Sequence, residues 1–142
     1  MNKTAFLAAA WLLAPFAAYA QVTVDKAWIR TTVAQQKTTA AYLTITSVKG
    51  GKLVEASSPV ATSVEVHEMK MDGDLMKMRD VPALPLPAGK PVEMKAGGFH
   101  MMLLGLKAPL NAGDVVPIKL VIEDAKGQRQ TVDVRAVAKP SM

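Results

Sequence analysis

The chain has 142 residues, no cysteine, nine methionines, only two histidines and a formal charge of +5. Absence of cysteine excludes disulfide stapling, blue-copper thiolate sites and every form of thiol chemistry. The basic residues are dispersed and aromatics are few, so a nucleic-acid surface, which concentrates both, is not expected.

Residues 1–20 read as a secretion signal: Lys3 is a short positive start, Ala5 to Ala17 an apolar stretch, and Ala18-Tyr19-Ala20 a small-x-small cleavage site. The expected mature chain begins at Gln21 and forms one domain over residues 21–142. It carries a charge of +4 once Lys3 is lost. The apolar stretch is shorter than the roughly 20 residues of a membrane-spanning helix, so an exported protein without stable membrane insertion is expected. With no cysteine to carry a lipid, no lipoprotein anchor is expected either.

The remainder alternates in short apolar and polar steps broken by Gly, Pro and Asp, the pattern of strands rather than helices. Val22 to Arg30 and Ala40 to Thr46 are strand-like, followed by a turn at Lys49 to Lys52. Leu53 to Ala56 and Thr62 to Met69 come next. Asp72-Gly73 marks a hairpin turn and Leu75 to Arg79 returns from it. Prolines at 82, 85, 87 and 91 predict an irregular connection, and Val92 to Met94 is a brief strand. Phe99 to Leu104 reads as a central strand. Val115 to Glu123, which Pro117 demotes to an edge or a bulge, and Thr131 to Val137 complete the set. About eight strands in one small domain predict an all-β Greek-key sandwich.

Both histidines stand near methionines. Ten residues separate His67 from Met78, twenty-one separate Met78 from His100, and one separates His100 from Met102. Thioether sulfur selects Cu(I), whereas imidazole alone also accepts zinc, nickel and Cu(II), so two His with two Met point to monovalent copper. A two-residue turn centred on Asp72-Gly73 pairs Met71 with Asp74, Met69 with Met76 and His67 with Met78. Opposed side chains share a sheet face close enough to share a metal. His100 and Met102 share a face by alternation, Val64 and Val66 point to the core, and Met101 belongs to the core. Met69, Met71 and Met76 crowd the hairpin end, either as auxiliary copper contacts or as a partly exposed loop.

The full spacing from His67 to Met102 resembles the signature of the PCuAC-type periplasmic copper chaperones, and the similarity runs over essentially the whole chain after residue 20. The resemblance implies a cupredoxin-like sandwich with His67, Met78, His100 and Met102 as ligands of one Cu(I). It further implies a periplasmic carrier supplying a respiratory oxidase subunit at its CuA centre, alongside a Sco-type thiol protein, and no enzymatic turnover. A monomer is expected. Some relatives carry a His- and Met-rich C-terminal tail for a second copper; this chain ends Lys139-Pro-Ser-Met142 without histidine, so one copper per chain is expected.

Rival readings fare differently. An oxidase with an N-terminal copper clamp needs histidine where Gln21 stands, and a serine hydrolase lacks its Gly-x-Ser-x-Gly segment. Copper storage without a dedicated acceptor, or a metal-free sandwich that binds a protein partner, remain open from sequence.

Overall fold

A computed structural model of the chain describes residues 21–140; the expected signal sequence lies outside the described residues. Ten strands make up the secondary structure of the described residues, β1 (Val22–Arg30), β2 (Thr38–Ser47), β3 (Gly51–Ser57), β4 (Ser63–Asp72), β5 (Leu75–Asp80), β6 (Leu84–Leu86), β7 (Pro91–Glu93), β8 (Phe99–Leu104), β9 (Val115–Glu123) and β10 (Arg129–Lys139). They lie in one sheet in the order β5-β4-β8-β2-β1-β10-β9-β3-β6, with β7 against β2. A bridge from Ala56 on β3 to Val64 on β4 closes the sheet on itself. Only β1 and β10 run parallel; every other pairing is antiparallel. No helix among the described residues is long and apolar enough to cross a membrane.

Alternation builds the core. On β9, Val116, Ile118, Leu120 and Ile122 point inward and are buried, while Val115, Pro117 and Lys119, which alternate with them, are exposed. Ile29, Ala41, Ile45, Met101 and Leu103 meet them from the other strands with no exposed surface. The core therefore fills the space inside the closed sheet, and Met101 and Met94 both belong to it.

Three expectations need correction. The proline-rich segment is not wholly irregular: Leu84 and Leu86 are each 1% exposed and pair with Gly51 to Leu53 as β6. Pro85 is tolerated because β6 is the last strand in the order, where a missing N–H leaves no ladder incomplete. Secondly, β9 is an interior strand between β10 and β3, not an edge. Pro117 opposes Arg135 of β10, whereas the ladder to β3 ends at Lys119, so the lost donor falls just beyond the second partner.

The third correction is the hairpin register. Asp72 pairs with Leu75, leaving Gly73 and Asp74 as the two turn residues. Gly73 has φ +63 and Asp74 does not share a positive φ, the arrangement of a type II′ turn with glycine first. The pairs are therefore Met71 with Met76, Met69 with Met78, and His67 with Asp80. The displacement is two residues, an even step, so every side chain keeps its expected face.

Candidate metal site

Two barrel strands and one hairpin arm bring the site together. On β4, Val64 and Val66 face the core, so Glu65, His67, Met69 and Met71 face outward. On β8, Met101 and Leu103 fill the core, which turns His100 and Met102 outward. The β4–β8 register sets His67 directly opposite His100 and Glu65 opposite Met102. The two imidazole rings stand edge to face, with centroids 5.8 Å apart and planes at 78°.

Although they face away from the core, His67 and His100 are only 8% and 6% exposed. The same face continues through Ala40, opposite Met102, to Tyr42 and its partner Trp28, whose rings stack at 4.9 Å. Arg30 lies over the Tyr42 ring at 5.7 Å. Burial pushes the His100 pKa below the ordinary histidine value, opposed by its hydrogen bond to the Gly98 carbonyl and reinforced by His67 and Arg30. A depressed pKa keeps the ring neutral, the only state in which it offers a lone pair to a metal.

Met78 reaches His67 from the hairpin. It sits diagonal to the histidine across the β4–β5 ladder, and its Sδ lies 3.0 Å from His67 Nδ1. A diagonal approach is within reach of a long flexible side chain. The other nitrogen, Nε2, is 2.9 Å from a Glu65 carboxylate oxygen and 2.9 Å from an Asp80 oxygen. Met102 is half-buried, two residues along from His100 on the same face.

All four expected ligands therefore lie on one face, where His67 is directly opposed to His100 and meets Met78 on its diagonal. Met69, opposite Met78, extends the thioethers outward, followed by the exposed Met71 and Met76 pair. Sequence reasoning passed over Glu65, Asp80 and Arg30. The signal for the first two was available: Glu65 is two residues before His67 and Asp80 two after Met78, so period-two alternation puts them on the ligand face.

In chemical terms the face offers two neutral sulfurs and two imidazoles. Soft sulfur with imidazole suits Cu(I), and no donor requires deprotonation of a thiol. The site opens on the hairpin side, where Met78 is 48% exposed, so a ligand can be exchanged there without unfolding the barrel.

Comparison with known proteins gives a family and a shared fold. A family model described as "Putative lipoprotein LpqE-like" matches residues 22–135. A protein of Leifsonia xyli subsp. xyli named "Putative lipoprotein Lxx21020" is 32% identical over 117 residues, 80% of this chain and 69% of that protein. The solution structure of Cu(I)-DR1885 from Deinococcus radiodurans superposes with a TM-score of 0.62 at 34% identity, covering 82% of this chain and 76% of that one. The copper-bound PCuAC domain of PmoF2 shares the fold, with a TM-score of 0.64 at 20% identity over 84% of this chain and 94% of that domain.

Proposed function

This chain belongs to the LpqE-like family, and we propose that it is an exported carrier of Cu(I) that holds one ion through His67, Met78, His100 and Met102. Its acceptor in this reading is a respiratory oxidase subunit with a CuA centre, reached in the periplasm and assisted by a Sco-type protein. The observation that carries the reading is the meeting of His67 Nδ1 and Met78 Sδ at 3.0 Å beside a directly opposed His100. The likeness to DR1885, a protein whose structure was solved with Cu(I), supports it independently.

Neutral ligands make the ion transferable. Thioethers survive in an oxidising compartment where thiols would pair, and each Cu–S contact can be replaced singly by a donor from the acceptor. Transfer, not turnover, is the chemistry. Met69, Met71 and Met76 continue the sulfur donors from Met78 toward the turn, and in this reading they receive the ion as it leaves. The signal-like residues 1–20 support export.

Anaerobic competition titration of the chain from Gln21 against a chromogenic Cu(I) chelator tests this. The expected result is one tightly held equivalent, lost in the His67→Ala, His100→Ala double variant, and directional transfer to an apo-CuA fragment. Retention without transfer would leave storage as the function, and no retention would sink the copper reading.

A further inference from the structure

We infer that Glu65 and Asp80 are positioning residues that fix the His67 ring with its proton on Nε2, so that Nδ1 is the atom presented to copper. The inference rests on the copper reading above and adds to it the identity of the ligating nitrogen and the groups that select it.

Ionised carboxylates only accept hydrogen bonds, and both Glu65 and Asp80 place an oxygen 2.9 Å from Nε2. Nε2 must therefore carry hydrogen; the other tautomer would set its lone pair against two anionic oxygens. In the neutral ring Nδ1 is then bare, and the atom it faces at 3.0 Å is the Met78 sulfur, which has no hydrogen to donate. Two lone-pair atoms thus face each other across a gap that only a cation or a proton can satisfy. Metal–nitrogen and metal–sulfur bonds of about 2.0 and 2.3 Å at a tetrahedral angle span roughly 3.5 Å, so an arriving ion needs Met78 to recede by about half an ångström. Met78 is on the exposed hairpin arm, where that movement disturbs no core contact.

His100 provides the contrast within the same molecule. Its Nδ1 faces the Gly98 carbonyl at 3.4 Å, an acceptor again, which puts the proton on Nδ1 and leaves Nε2 free. The two histidines are thus set in opposite tautomers, His67 by side chains and His100 by backbone. Such outer hydrogen bonds orient a ligating imidazole and raise its basicity, and losing them weakens metal affinity by roughly ten- to a hundredfold in other metal sites.

The test is long-range ¹H–¹⁵N NMR of the histidine rings at about pH 8, apo and Cu(I)-loaded, on the wild-type chain and a Glu65→Ala, Asp80→Ala variant. Both replaced side chains are exposed or half-exposed, so the fold should survive, and the backbone spectrum checks it. In the wild type we expect a protected His67 Nε2–H in both states and a loading shift on Nδ1. In the variant we expect that N–H to exchange away, the His100 ring to be unchanged, and the Cu(I) dissociation constant to rise by about ten- to a hundredfold. A proton on Nδ1 in the apo protein, a loading shift on Nε2, or unchanged affinity in the variant would overturn the inference. Failure of the wild type to retain Cu(I) would count against the copper reading instead, with the apo tautomer still read directly.

Discussion

The closed barrel and the β4–β5 hairpin follow opposite rules. In the barrel, Leu120 is wholly buried between β10 and β3, whereas every residue of β5 is exposed and nothing pairs with its outer side among the described residues. The contrast divides the four proposed ligands: His67, His100 and Met102 stand on strands that also feed the core, and Met78 comes from the arm. In the proposed reading, a buried pair of imidazoles with one thioether on an exposed arm would make the site both preformed and openable, with stability in one region and ligand exchange in the other.

Breaking each region should reveal the difference. Replacing Leu120 by Ala should cost about 2–5 kcal/mol of unfolding free energy, because the buried site cannot collapse around the void. Leu75→Ala on the arm, 65% exposed, should change stability by less than about 0.5 kcal/mol. Urea denaturation of the two variants measures both.

Glycines sharpen the same comparison. Gly51 in β3 has φ +123, and a Cβ there would run into the Glu123 carbonyl, so Gly51→Ala should cost about 1–3 kcal/mol. Gly73 at the hairpin turn has φ +63 and open space around it, so Gly73→Ala meets only the left-handed backbone penalty of about 1 kcal/mol. Equal losses in urea melts would contradict the division.

The smallest effect is on pH. The folded His100 pKa lies below the ordinary value, chiefly through burial, so the unfolded chain binds this proton more readily. Its contribution is then level above the ordinary histidine range and falls as pH drops through about 6.5 toward the lowered folded value. Urea midpoints at about pH 7.5 and pH 5.5 should differ more for the wild type than for His100→Leu, which removes this one titration.

Much of the fold was legible because alternation is local. Val22–Arg30, Phe99–Leu104 and Val115–Glu123 were read to the residue, the last because it alternates cleanly and the second because a short apolar run follows Gly97-Gly98. What failed depended on partners distant in sequence. Whether Pro85 and Pro117 disrupt a ladder is decided by which neighbour lies opposite, and that is fixed by β3. The hairpin register failed for a different reason: Asp72-Gly73 and Gly73-Asp74 are both acceptable two-residue turns, and only the packed strands choose between them. The bulge in β1 between Asp25 and Trp28, with Lys26 at φ +55, left no sequence signal, yet it determines which face Trp28 occupies.

That the four candidate residues share one face was legible for a related reason. His67, Met78, His100 and Met102 were grouped by donor chemistry and parity, and parity survives a two-residue slip. Glu65 and Asp80 went unread because acidic residues on exposed strands are common, and their significance lies in converging on one ring nitrogen, which only the fold displays.

The central claim is that two imidazoles and two thioethers converge on one ion, and the most direct test is X-ray absorption of the Cu(I)-loaded chain beside its Met78→Leu variant. Two nitrogen and two sulfur scatterers in the wild type, with one sulfur lost in the variant, is the predicted result. A first shell of nitrogen and oxygen alone, or a sulfur count that the substitution leaves unchanged, would contradict it.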